Sequence, residues 1–153
     1  MEQVQIKKQA HAKIMPIEKE PVSFYVWEGA FGGILYGLIE MIYRGYTHFS
    51  MLLLGGICLV GMGWIGSATR ALPRVVSMLL CTLLVLTLEL GCGLLVNGIL
   101  GLNVWDYSDE AFSLWGQICP KYGIFWFFLS LPALKIAHAL KRVWHTDPRS
   151  QSR

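Results

Sequence analysis

Residues 74–100 read RVVSMLLCTLLVLTLELGCGLLVNGIL, and the fold is decided here. After Arg74 the stretch holds a single charged side chain, Glu89, near its middle. As a helix rising 1.5 Å per residue it is long enough to cross the ~30 Å of bilayer hydrocarbon. A charged side chain in that medium costs at least ~2.5 kcal/mol on insertion scales. Glu89 is therefore expected to face protein or water, with a partner or a proton.

Three further apolar stretches accompany it. The segments are expected at 22–43, 49–68, 75–100 and 122–140, each near the ~20 residues that a spanning helix needs. The chain has 153 residues, 54% hydrophobic and 15% charged, against about 25% charged in an average soluble domain. A soluble core can bury one such helix, but not four in so short a chain. The expected fold class is an all-α integral membrane protein with four transmembrane helices, 22–140, between polar tails at 1–21 and 141–153. The first apolar segment starts too late and runs too long for the h-region of a cleavable signal peptide.

Eleven of the thirteen Lys and Arg fall in the N-terminal tail, the loop holding Arg70 and Arg74, and the C-terminal end. The other side has only Arg44 and Lys121. The positive-inside rule then predicts a multi-pass cell-membrane protein with both termini cytoplasmic. The net charge of +3 is no nucleic-acid signal, because the basic residues flank apolar segments. Cys58, Cys81, Cys92 and Cys119 form no CxxC pair and read as thiols, so neither a metal site nor a disulfide framework is expected. No cofactor signature is present.

The outer loops differ. The first, 44–48, makes a tight hairpin. The third, GLNVWDYSDEAFSLWGQICPK at 101–121, carries Trp105, Tyr107, Phe112 and Trp115, aromatics suited to the headgroup level. A short interfacial helix is expected there, capped by Asp106 or Ser108. A faint repeat pairs Phe49-Ser50 and Gly56-Ile57-Cys58 with Phe112-Ser113 and Gln117-Ile118-Cys119, each after a glutamate, Glu40 or Glu89. It suggests two hairpins related as parallel repeats.

Polarity concentrates on two faces. Gly29, Gly33 and Gly37 recur at four-residue spacing, the small-xxx-small pattern of close helix approach. Ser77, Cys81, Val85, Glu89, Gly93 and Asn97 make a stripe of the same period in the third segment. The simplest packing sets the glycine face on that stripe, with Gly93 as a further packing position. An outward-facing polar pocket follows, lined by Glu40, His48, Glu89, Asn97 and Asp106. Plainer readings stand beside it. Glu40 pairs with Arg44 one turn on, His48 is a loop residue, Asn97 is interhelical glue, and Glu28 at the inner boundary is solvated.

Several motifs resemble one family. Val104-Trp105-Asp106-Tyr107-Ser108 with Trp115-Gly116-Gln117-Ile118-Cys119, and Glu40 with Thr47-His48-Phe49-Ser50-Met51 and Gly55-Gly56-Ile57-Cys58, are similar to small bacterial membrane proteins described as Putative ABC-transporter type IV. The likeness runs from about Trp27 to Trp126 and includes Glu89. It implies a multi-helix permease. It also adds Trp105, Tyr107, Ser108 and Gln117 to the candidate binding residues. No G-x-x-x-x-G-K-[ST] loop is present, so any ATPase is a separate chain on the cytoplasmic side.

Three functions remain open from sequence. One is a transport component, a permease or membrane-embedded substrate-binding subunit, with Glu89 and Glu40 handling a polar ligand or protons. Four helices are few for a carrier, so a homo-oligomer in the lipid bilayer is expected. The second is a structural or regulatory partner subunit. The third is an enzyme acting on a lipid or isoprenoid, which is weakest because no nucleophile–base pair is readable and no catalytic residue stands out.

Overall fold

The computed structural model describes residues 19–146. Most of the N-terminal tail and the last residues of the C-terminal tail, with Lys7, Lys8, Lys13, Arg149 and Arg153, lie outside the described residues. The described chain is four helices and their connections: α1 Val22–Arg44, α2 Phe49–Ala68, α3 Arg74–Gly93 continued by a π-helical segment Leu94–Ile99, and α4 Pro120–Thr146. All four are long and apolar enough to cross a membrane. The all-α membrane fold class expected from the sequence is the one observed.

Local chemistry sets the helix ends. Gly45 takes a left-handed conformation (φ 77°), and its N–H closes α1 on the Met41 carbonyl at 3.0 Å. His48 then caps α2, its Nδ1 accepting from the Ser50 N–H. At the other end of α2, the Thr69 and Ser77 hydroxyls hydrogen-bond at 2.7 Å, pinning the start of α3. Pro120 opens α4, where its missing N–H would have had no helical partner. Pro132 interrupts the ladder of α4 from inside. The helix continues to Thr146, beyond the end expected from hydropathy.

The glycine face of α1 does not meet α3. It packs on α2, the main neighbour of α1. A Cβ on Gly56 would lie 2.6 Å from the Gly29 carbonyl oxygen, and one on Gly32 would lie 2.6 Å from the Leu59 Cβ. Gly33 and Gly37 face Leu52 in the same way. The expected α1–α3 packing is thus replaced by a backbone-to-backbone hairpin, since α2 carries its own small residues, Gly55 and Gly56, opposite those of α1. The stripe of α3 turns instead to α2 and α4, with Cys81, Val85 and Glu89 in the core.

The loop of residues 101–119, before α4, contains no helix. Gly101, Asn103, Phe112, Trp115 and Gly116 all have positive φ, which no right-handed helix accommodates. The loop is a set of turns closed by a bridge between Leu114 and Ile118. The two copies of the faint repeat therefore differ in conformation: Gly56-Ile57-Cys58 lies inside α2, whereas Gln117-Ile118-Cys119 lies in the loop before α4.

Candidate functional site

Glu89 is 1% exposed, at the centre of the bundle. Its Oε2 and the indole N–H of Trp126, the α4 side chain that faces it, are each other's nearest polar match but do not reach full hydrogen-bond geometry. Tyr36 from α1 stacks on Trp126, ring centroids 5.7 Å apart and planes within 13°. Tyr36 itself sits over Gly55, whose missing side chain makes the room. Cys58, Cys92 and Tyr107 lie near enough to feel the Glu89 charge. The result is a packed cluster of hydroxyls, thiols and aromatic rings around one buried carboxylate. Burial, and then the Glu89 charge, push the Tyr107 hydroxyl well above its ordinary range, so it keeps its proton.

Above the cluster the polar groups are bound to one another. Glu40 accepts from Arg44 Nη1 at 2.9 Å and from the Thr47 hydroxyl at 3.0 Å. Arg44 also donates to the Val104 carbonyl at 2.5 Å and the Tyr46 hydroxyl at 2.6 Å. Asn97 Nδ2 donates to the Trp105 carbonyl (2.9 Å) and Gln117 Oε1 (2.8 Å), while its Oδ1 accepts from the Val104 N–H (2.7 Å). Trp105 is buried and donates its indole N–H to the Gln117 carbonyl. Gln117 in turn fills the space over Gly93 and donates to the Trp115 carbonyl. The plainer readings of Glu40 and Asn97 describe these contacts well.

The other expected pocket residues lie apart from Glu89. His48 is an exposed cap. Asp106 is exposed and accepts twice from Ser108, from its N–H at 2.8 Å and its hydroxyl at 2.6 Å, in a turn rather than at a helix start. Those hydrogen bonds hold the Asp106 carboxyl below its ordinary range. A Cβ on Gly116 (φ 70°) would lie 2.6 Å from Asp106 Oδ1, so the WDYS and WGQIC motifs build one turn structure together. Tyr107 within them stacks on Tyr122, centroids 4.3 Å apart.

The opposite end of the bundle holds a feature not read from the sequence, a cavity of about 300 Å³. Glu28 lines it and is 2% exposed, a buried acid where a solvated one was expected. A legible signal existed. Glu28, Gly32, Tyr36 and Glu40 recur every four residues, the same period as the α3 stripe. The glycine register Gly29, Gly33 and Gly37 runs one residue further along the same helix.

The family described as Putative ABC-transporter type IV matches residues 24–151, from the first turn of α1 to beyond the end of α4. No curated protein and no solved structure matches the chain. Since the match takes in the Glu89 cluster, the WDYS–WGQIC loop and nearly all of every helix, the chain belongs to the Putative ABC-transporter type IV family.

Proposed function

We propose that the chain is a membrane-embedded transport subunit, a permease or substrate-binding component, that handles a polar ligand or protons at Glu89. Family membership and four apolar helices support the coarser statement, a transport-related role in a membrane. The finer one is carried by a single observation: the Glu89 carboxylate is fully buried, and its Oε2 is met only by the Trp126 indole, short of full hydrogen-bond geometry. A buried polar atom without a hydrogen bond costs about 1–3 kcal/mol, so a retained one calls for a ligand, a proton or a water. Tyr36, Tyr107 and Trp126 supply donors around it, and Glu40 lies on the outer side. Access is proposed from the outer end, where the WDYS turn forms the cover.

The same reading places both termini in the cytoplasm and gives the chain a separate ATPase partner on that side. A homo-oligomer supplies the further helices that a translocation path needs. The test is Glu89→Gln in reconstituted vesicles with a trapped pH dye. We expect proton flux in the wild type to fall at least ~10-fold in the variant, with an unchanged elution profile. Loss of the folded peak would make Glu89 structural, and unchanged flux would remove it from the path.

A second reading, a structural or regulatory partner subunit, is favoured by the outer polar groups. Glu40, Asn97 and Gln117 are all engaged in hydrogen bonds within the chain. Stable co-purification with another membrane protein, together with wild-type behaviour of Glu89→Gln, would support it.

A further inference from the structure

The cavity beside Glu28 lies at the bundle end that carries Arg70, Arg74 and Lys141, away from the Glu89 cluster. Its floor is acidic and its rim is basic. Glu28, from α1, makes no hydrogen bond or ion pair with the described residues. Its Oε1 fills the space over Gly63 of α2, at 2.7 Å from where a Cβ would stand. Lys141 is close enough to feel Glu28 but is already held by Glu20 at 2.5 Å. A carboxylate so placed calls for a cationic donor, and the aromatic ring of Trp64 on the cavity wall suits an ammonium. Among the described residues no cluster of His, Cys, Asp and Glu could hold a metal ion.

The rim calls for the opposite charge. Arg70 follows the end of α2 and Arg74 begins α3, and neither makes a hydrogen bond or ion pair with the described residues. Arginine forks fit a phosphate with two parallel hydrogen bonds. Both arginines sit where spanning helices end, the level of phospholipid phosphates, and basic pockets there take headgroups. Gly63 of α2 and Arg70, two residues beyond its end, are seven residues apart, about 10 Å at helical rise. An arginine side chain covers more than half of that, leaving a few ångströms between the two charges of the ligand. A volume of about 300 Å³ is at the low end for ligand pockets, enough for a headgroup but not for acyl chains.

We propose that this cavity binds a phosphoethanolamine group, its ammonium on Glu28 and its phosphate on Arg70 and Arg74. The group has two sources, the headgroup of an ethanolamine phospholipid in the adjoining leaflet or a soluble phosphoethanolamine.

Native mass spectrometry of the full chain in detergent tests it. The probes are phosphatidylethanolamine, its N-acetylated form, which keeps the phosphate and loses the charge on nitrogen, and phosphatidylglycerol. The wild type should retain phosphatidylethanolamine about 10-fold better than either of the others, the effect of one charge-assisted contact. Glu28→Gln should level the three lipids to within about 2-fold, and Arg70→Gln with Arg74→Gln should weaken all of them. Displacement by millimolar phosphoethanolamine identifies the soluble source, and its failure identifies the lipid. Equal retention of the N-acetylated lipid by the wild type overturns the proposal, whatever the variants do. So does a preference that survives in Glu28→Gln.

Discussion

Asn97 illustrates how much of the loop end of the bundle hangs on single side chains. Its amide makes three hydrogen bonds, to Val104, Trp105 and Gln117, and so fastens the π-helical segment to the loop. Asn97→Ala leaves a backbone N–H and a carbonyl in the protein interior with lost partners, at about 1–3 kcal/mol each. We expect a lower unfolding temperature and faster proteolysis within 101–119, with Asn97→Asp recovering only the bond from Val104. Gly116→Ala should destabilise the same turn by ~1–2 kcal/mol, because its φ of 70° is strained for alanine and a methyl would press on Asp106. At the other end, Glu20 joins α1 to α4 through Lys141 (2.5 Å) and His145 (3.1 Å). Burial by itself raises its carboxyl, but the hydrogen bonds and charges of the two partners outweigh it and hold the value below the ordinary 4.5. A depressed acid stabilises the fold above its unfolded value, and that stability disappears as pH falls through the folded one. Melting curves at descending pH should therefore show a loss beginning near pH 4.5 and continuing below it, which Glu20→Gln removes.

At the scale of elements, the α1–α2 hairpin depends on helix backbones that nearly touch. A side chain at Gly33 would meet the Leu52 carbonyl and one at Gly56 the Gly29 carbonyl, neither of which can move without parting the helices. Gly33→Leu should cost about 1–3 kcal/mol by overpacking, read as a lower unfolding temperature in detergent. The double variant with Leu52→Ala should recover little, because backbone rather than side chain is struck. The four-residue spacing of Gly29, Gly33 and Gly37 announced this close approach, but spacing cannot name the partner helix. Only the answering glycines of α2 could, and Gly55 and Gly56 are adjacent rather than periodic. The α3 stripe was legible for a different reason. A four-residue step overshoots a 3.6-residue turn by ~40°, so a straight α-helix would carry Asn97 off the face that buries Glu89. The wider turns of the π segment from Leu94 counter that drift and bring Asn97 to the loop. Nothing in residues 94–99 advertises such turns. The loop departs from the expected helix for a related reason: Phe112 and Trp115 take left-handed conformations that their residue types do not favour, and Asn103 takes one that its type tolerates better.

For the whole molecule, the charge asymmetry that composition made plain has a structural counterpart. One end is basic and open, with Arg70, Arg74 and Lys141 around a cavity. The other is closed, and its two basic residues are committed to the chain itself: Arg44 to Glu40 and Val104, and Lys121 to Glu110 at 2.5 Å. Basic residues near the ends of spanning helices set orientation, whereas acidic ones contribute little, so the open end should face the cytoplasm. Two exposed alanines report on this, Ala71 between α2 and α3 and Ala111 in the loop before α4. The native thiols give a low background, since Cys58, Cys81 and Cys119 are buried and Cys92 is partly so. A membrane-impermeant maleimide applied to intact cells should label Ala111→Cys and spare Ala71→Cys until the membrane is opened. The reverse pattern would invert the orientation and put the Glu28 cavity outside. Equal labelling of both in intact cells would mean that the two loops do not lie on opposite sides, and an even set of four spans would then fail. The expected pattern has a consequence for chemistry. It would put the Glu28 cavity on the side where a separate ATPase has its nucleotide, and leave the Glu89 cluster beneath a loop on the other. Access to the two sites would then come from opposite sides of one bundle only 20–27 residues long in each helix.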